Sequence, residues 1–390
     1  MLCDTDGNEY LDLTNGFGQI LFGHSPEFVT QAVKRQIDMG VEIGPQTELA
    51  GEVAELLCEI TGSERMAFAN TGSEAVLAAV RLARTVTNRN RVVSFEHAYH
   101  GIFDEVIVRG GRGGKALPGA PGIPRSVGEN VSVLPWADMD MIDVIRAQAD
   151  DIAAVMVEPV QSRAPDIQPV EFLRALREVT EEQGIALIFD EVVTGFRCAP
   201  GGAQAFFDIR ADLATYGKIL GGGYPIGALA GKSRFMDALD GGQWQFGDSS
   251  SPEVGVTFFA GTFVRHPLAM AASRAVLQRL KEEGPELQAG LNATTKDFCT
   301  QLNQVMESLG VTVRAQFFSS VFYFDLDHQF AEVWFALLRL HGIHIWSNRP
   351  CFLTLSHTAE HLQQMLASFE AAPREMIDYG LLETTVELGA

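Results

Sequence analysis

Short, mostly apolar runs recur along the first three-quarters of the chain, at 92–95, 153–157, 186–189 and 228–230. Each is too short for a helix and too continuously apolar for a strand with one wet face, so each predicts a strand buried on both sides. Between and beyond them lie longer stretches with apolar residues three and four apart, at 48–60, 170–183 and 269–281, which predict helices packed on one face. The alternation implies an α/β fold with a mostly parallel sheet covered by helices, in which ligands gather at the carboxyl ends of the strands. The pattern changes near residue 275. After Gly284 it predicts a helix, then a strand at 321–324, then helices around 330–340 and 359–371, a smaller α+β domain. The expected organisation is therefore an N-terminal segment at 1–40 packing with the small domain, a large domain at 41–275, and a small C-terminal domain at 276–390.

Composition narrows the function. The chain has 390 residues, 46% of them hydrophobic, without an apolar run of about 18 residues. That predicts a soluble protein with a large core and no membrane attachment. The start lacks a basic region followed by an apolar stretch, so no secretory signal is expected. Five scattered cysteines, Cys3, Cys58, Cys198, Cys299 and Cys351, show neither paired nor metal-like spacing, which suits a reducing cytoplasm and argues against a metal. A net charge of −21 disfavours nucleic acid. Arg109, Arg112, Lys115 and Arg125, in and around the Gly- and Pro-rich stretch 110–124, are the local exception. They read either as a docking surface for an acidic partner or as a solvated surface loop.

The chemistry concentrates in a few positions. The run Ile185-Ala186-Leu187-Ile188-Phe189 ends in Asp190, and Lys218 follows in Tyr216-Gly217-Lys218-Ile219-Leu220-Gly221-Gly222-Gly223. A lysine that must attack a carbonyl needs its pKa lowered by desolvation or by neighbouring positive charge. A carboxylate against a pyridine nitrogen keeps that nitrogen protonated, so that the ring can draw electrons from a substrate carbanion. The pair reads as the two ends of a pyridoxal phosphate site. Alone, an apolar run ending in Asp fits any buried strand, and a Lys before glycines fits an exposed loop. Asn70-Thr71-Gly72-Ser73-Glu74-Ala75 follows the run Met66-Ala67-Phe68-Ala69 and opens the helix-like stretch 75–83. It would present free backbone N–H groups to a phosphate at a helix N-terminus, or form an ordinary helix cap through Ser73.

Phe95-Glu96-His97-Ala98-Tyr99-His100-Gly101, Val157-Glu158-Pro159-Val160-Gln161, Asp190-Glu191-Val192-Val193-Thr194-Gly195-Phe196-Arg197, the Lys218 segment and Ala260-Gly261-Thr262-Phe263 together resemble class III aminotransferases, of pyridoxal phosphate fold type I, from about residue 4 to 370. Within that class the chain resembles the glutamate-1-semialdehyde aminomutase branch. Val160-Gln161-Ser162-Arg163, Gly201-Gly202-Ala203-Gln204-Ala205, Phe258-Phe259-Ala260-Gly261-Thr262-Phe263 and Arg349-Pro350-Cys351-Phe352-Leu353 resemble aminotransferase domains of hybrid polyketide and nonribosomal peptide synthetases. The resemblance implies pyridoxal 5'-phosphate as cofactor, with Lys218 as anchor and base and Asp190 at the ring nitrogen. It further implies that Gly72 and Ser73 hold the phosphate, Tyr99 and Val192 pack on opposite ring faces, and Glu158 and Gln161 line the cofactor site. Thr262 would reach the phosphate of a neighbouring subunit, implying a homodimer with shared active sites.

Two departures bear on the substrate. Many class III enzymes carry a glutamate two residues after the Val-Glu-Pro-x-Gln glutamine, paired with a carboxylate-gripping arginine, where this chain has Arg163. The aminomutases place an arginine upstream of the segment resembling Asp4-Thr5-Asp6-Gly7-Asn8-Glu9-Tyr10, almost where this chain begins, so either the start is truncated or the carboxylate is held otherwise. Arg163 and Arg349 are the candidates to bind a donor carboxylate. The expected activity is transfer of an amino group from an amino acid donor to a keto group of an acyl carrier protein-bound intermediate. The alternatives are an aminomutase acting within one small molecule, a small-molecule ω-aminotransferase, or a silent scaffold of the same fold; intact Lys218, Asp190 and Gly72-Ser73 disfavour the last.

Overall fold

A computed structural model describes residues 1–44, 47–245, 247–324, 326 and 329–382. The chain falls into two compact units, a larger one of residues 27–161 and 168–284 and a smaller one of residues 1–26, 162–167 and 285–390. The sequence reading set the boundaries at 40 and 275. Helix Glu27–Met39 joins the larger unit because it packs on helix Pro267–Glu283.

The larger unit is built on seven strands: β1 Arg65–Ala69, β2 Arg91–Phe95, β3 Val131–Leu134, β4 Ile152–Val157, β5 Ala186–Asp190, β6 Leu213–Tyr216 and β7 Gly227–Gly231. Their order across the sheet is β1-β7-β6-β5-β4-β2-β3. β1 to β6 run in one direction and β7 runs against both its neighbours, β1 and β6. Every residue of β4 and β5 is buried, as expected of strands covered on both faces. β3 and β6 carry weaker signals, since Ser132 interrupts one and the other reads Leu-Ala-Thr-Tyr; pairing with β2 and β5 makes them strands.

The helices end where local chemistry ends them. Helix Glu48–Thr61 stops at Gly62, whose φ of +68° is accessible to glycine at little cost. Helix Gly72–Thr87 begins at Thr71, whose hydroxyl accepts from the Glu74 N–H at 3.2 Å, so Thr71 and not Ser73 is the cap. At the end of β2, Phe95, Trp136 and Phe172 meet edge to face with ring centroids 5.3–5.7 Å apart. Because β1 to β6 share a direction, the turns after β1, β2, β4, β5 and β6 open at the same edge of the sheet. The chemistry-bearing residues of this unit lie on those turns, at 70–73, 96–101, 158–161, 190–197 and 217–218.

The smaller unit holds two three-stranded sheets, one from Leu2–Cys3, Glu9–Asp12 and Ile343–His344, the other from Ala315–Phe318, Val321–Phe324 and Cys351–Phe352. Helix Pro285–Ser308 packs on the second sheet at Ala315–Phe318, helix Ala331–Leu340 packs on the first at Ile343–His344, and helix Ala359–Asp378 packs on both helices. The Asp12 carboxylate organises the first turn by accepting from the Thr14 and Asn15 N–H groups and from His24 Nε2.

β7 must pass very close to the turn that opens helix Gly72–Thr87. A Cβ at Gly227 would lie 2.1 Å from the Thr71 carbonyl oxygen, where backbone cannot yield. Gly227→Ala should therefore destabilise the protein by about 2 kcal/mol, in the range for overpacking. The urea midpoint reads this directly; an unchanged midpoint would mean that β7 and the turn at Thr71 are not so tightly apposed.

Candidate active site

The first turn of helix Gly72–Thr87 is an open anion seat. The Glu74 N–H is satisfied by Thr71 and the Ala75 N–H by the Thr71 carbonyl, whereas those of Gly72 and Ser73 have no acceptor among the described residues. Free N–H groups at the positive end of a 16-residue helix favour a phosphate. Glycine at 72 is required by contact: a Cβ there would lie 2.9 Å from Val192 Cγ2. The Ser73 hydroxyl accepts from the Ile102 N–H at 3.2 Å, which ties the turn after β2 to this seat.

Asp190 closes β5 and is 5% exposed. Its Oδ1 accepts from Thr215 Oγ1 at 3.0 Å and from the Val192 N–H at 3.1 Å, and its Oδ2 accepts from His100 Nδ1 at 2.7 Å. Parallel register puts Thr215 directly beside it. Burial works against an imidazolium at His100, but the hydrogen bond and charge of Asp190 and the charge of Glu158 outweigh it and raise the pKa above the ordinary histidine value. His100 Nε2 is buried and without a hydrogen-bond partner among the described residues.

Lys218 sits two residues beyond β6 with φ of +46°, a left-handed conformation costing a non-glycine residue roughly 1 kcal/mol. Burial lowers the pKa of its amine, the charges of Asp190 and Glu158 oppose this, and the buried guanidinium of Arg197 lowers it further. Glu158, just past β4, accepts from the Tyr99 N–H at 3.0 Å. Burial pushes its pKa up to about 7, with the Asp190 charge adding to the shift against the opposing effect of His100. Gln161 is buried, and its Nε2 donates to the Glu96 carbonyl at 2.9 Å. Glu191 holds the following loop in place by accepting from the Ala203 and Gln204 N–H groups and the Thr194 hydroxyl.

The structure thus brings Gly72, Ser73, Val192, Asp190, Glu158, Gln161 and Lys218 to one edge of the sheet. Tyr99 is fixed there by its backbone, its residue 63% exposed. Thr262 is exposed on an irregular segment, and Arg163 and Arg349 are exposed residues of the smaller unit without ion-pair partners among the described residues. Sequence reasoning passed over His100, Arg197 and Thr215. The first two lie inside motifs it had singled out, and the third is visible only through strand register.

The donor set fits pyridoxal phosphate: two free N–H groups for a phosphate, a fixed carboxylate for a ring nitrogen, and a lysine with a weakened hold on its proton. Among the described residues no group of His, Cys, Asp and Glu is arranged to hold a metal, and no helix is long and apolar enough to cross a membrane.

Comparison with known proteins agrees. The family model for Aminotransferase class-III matches residues 1–372. Glutamate-1-semialdehyde 2,1-aminomutase of Methanococcus maripaludis is 35% identical over 96% of this chain and 89% of that protein. An omega-transaminase from Sphaerobacter thermophilus superposes with a TM-score of 0.87 at 29% identity, over 95% of this chain and 88% of that one. A beta-phenylalanine aminotransferase from Variovorax paradoxus gives 0.85 at 28% identity, over 98% and 86%. The chain belongs to the class III aminotransferases, pyridoxal-phosphate-dependent enzymes of fold type I.

The buried Glu158 gives the site a pH signature. Its folded pKa of about 7 lies above the ordinary value of 4.5, so its contribution to stability is greatest below pH 4.5 and is lost as pH rises through 7. Glu158→Gln, which still accepts from the Tyr99 N–H, should remove that loss. Urea unfolding of the cofactor-free protein at pH 5 and pH 8 should show the variant gaining up to about 3 kcal/mol relative to wild type at the higher pH. Equal pH dependence in both proteins would place a charged, solvated carboxylate at 158.

Proposed function

We propose that this chain moves an amino group between neighbouring carbons of one small molecule, as an aminomutase, with Lys218 as anchor and base. The observation that carries the chemistry is the convergence of a proton-weakened Lys218 with the three-donor hold on Asp190. Pyridoxal phosphate, when bound, supplies an electron sink. The chain's part is to hold and to steer protons. The N–H groups of Gly72 and Ser73 would hold the cofactor's phosphate, the Asp190 carboxylate, backed by His100, would hold its ring nitrogen, and Val192 and Tyr99 would pack on its ring. Gln161 and Glu158 line the site between the ends of β2 and β4. The Lys218 amine, its hold on the proton weakened by burial, would serve as the base that takes and returns a proton at the substrate carbons.

The aminomutase reading is supported by the likeness to glutamate-1-semialdehyde 2,1-aminomutases over 89% of their length. Arg163 and Arg349, lacking ion-pair partners, would take a substrate carboxylate through paired N–H donors. The exposed apolar residues Val254, Val256, Phe258 and Phe263 around Thr262 support a homodimer in which Thr262 serves the partner's phosphate. A second reading, transamination of a carrier-bound keto group, is supported by the synthetase-like segments and by Arg163 in place of the usual glutamate.

Donor dependence separates the two. The pyridoxamine-loaded enzyme, given glutamate 1-semialdehyde and no amino acid, should convert it to the isomeric amino ketone over many turnovers. Conversion that stops without an added amino acid, and then releases one keto acid per product, would replace the mutase with a transaminase.

A further inference from the structure

The Glu191 carboxylate takes no part in the chemistry assigned above, yet it is fully buried one residue beyond Asp190. The Glu191 N–H donates to the Thr215 carbonyl at 2.9 Å, which carries the pairing of β5 with β6 just past the end of β5. Side chains alternate along such a pair, so Asp190 and Thr215 face one side of the sheet and Glu191 and Tyr216 the other. On that second side the carboxylate takes three donors. Its Oε1 accepts from the Gln204 N–H at 2.9 Å, and its Oε2 accepts from the Ala203 N–H at 2.7 Å and from the Thr194 hydroxyl at 2.8 Å. Gln204 extends the network. Its Oε1 accepts from the Ala211 N–H at 2.9 Å, and its Nε2 donates to the Tyr216 hydroxyl at 3.0 Å. Tyr216 is fully buried, with its ring 5.3 Å from that of Phe196 and so close to Gly195 that a Cβ there would lie 2.7 Å from Cδ1. Burial pushes the Glu191 pKa up to about 7 against its three hydrogen bonds, so the charge is held there at a cost that an apolar side chain would avoid.

We infer that Glu191 is a positioning residue for Lys218, acting through Gln204 and the Tyr216 hydroxyl from the face of the sheet opposite Asp190. Lys218 is held at φ of +46°, and a side-chain-bearing residue keeps such a conformation where its surroundings impose it. On its N-terminal side Gly217 has no side chain with which to do so. The nearest fixed point there is Tyr216, whose ring is packed and whose hydroxyl is tied to Gln204. An apolar contact would fill the same space, but a carboxylate that accepts two N–H groups also sets the direction from which Gln204 reaches Tyr216. Glu191 thus links the ends of β5 and β6 by a route that avoids the cofactor's side of the sheet. The inference rests on Lys218 as the cofactor's anchor, and on neither of the two reactions considered above.

The test follows the proton on the Lys218 nitrogen in the cofactor-loaded full-length protein, through the pH titration of the bound cofactor's absorbance. Tyr216→Phe removes the hydroxyl and keeps the ring and the charge. It should raise the titration midpoint by about one pH unit, tenfold in proton affinity, because a nitrogen less firmly held in its dry place is easier to charge. Glu191→Gln, which turns an amide NH₂ toward backbone N–H groups, should raise it at least as much. Asp212→Asn is the comparison. Asp212 is a buried carboxylate at the other end of β6 that accepts from the Leu187 N–H at 2.9 Å, and its loss should lower the urea midpoint while leaving the titration unmoved. An equal shift in Asp212→Asn would overturn the inference, since general loosening would then explain it. A shift in Glu191→Gln without one in Tyr216→Phe would do the same, because charge and not position would be acting. Borohydride reduction and peptide mapping of the wild type locate the anchor. Cofactor on another lysine would remove that assignment and the inference together, whereas cofactor on Lys218 with an unmoved midpoint in both variants would remove the inference alone.

Discussion

Three donors converge on the carboxylate of Asp190, from Thr215, from the Val192 N–H and from His100, and the rest of the site is arranged around that fixed charge. Each donor comes from a different part of the larger unit. Thr215 comes from the adjacent parallel strand, Val192 from the turn just beyond, and His100 from the turn after β2. A one-residue slip between β5 and β6 would turn Thr215 away from Asp190. The sheet register therefore sets which donors reach that carboxylate.

The charges around Asp190 do not balance in a simple pair. Asp190 and Glu158 both bear on Lys218, His100 answers both carboxylates, and Arg197 adds buried positive charge near the lysine. In so dry a place each charge is costly unless another is close, and the groups respond by shifting protons. Glu158 rises to about 7 and the lysine amine is lowered. A lysine readily deprotonated and a carboxylate held by three donors place different demands on one dry site. The fold meets them with the polar hold at Asp190 and the desolvation at Lys218.

Much of this was legible in the sequence because parallel strands buried on both faces announce themselves as apolar runs, and their ends carry the chemistry. Asp190 and Lys218 each follow such a run or its turn. What stayed hidden depends on pairing. Thr215 is an unremarkable threonine until register sets it against Asp190, and His100 is one histidine of a motif until the turn after β2 folds back on β5. The helix cap is Thr71 and not Ser73 because Thr71 has the extended backbone of an N-cap residue while Ser73 already lies inside the helix, its hydroxyl accepting from the Ile102 N–H. β3 and β6 lacked strong local signals and took strand form from their neighbours.

The central claim is that Asp190, held in this way, keeps the cofactor's ring nitrogen protonated. Nitrogen NMR of the full-length protein loaded with ring-¹⁵N pyridoxal phosphate tests it most directly. The wild type should show the chemical shift of a protonated pyridine nitrogen between pH 6 and 8, and Asp190→Asn that of an unprotonated one, with Lys218 still attached to the cofactor. The same shift in both proteins would contradict the account, because it would show that the ring nitrogen does not depend on the carboxylate at the end of β5.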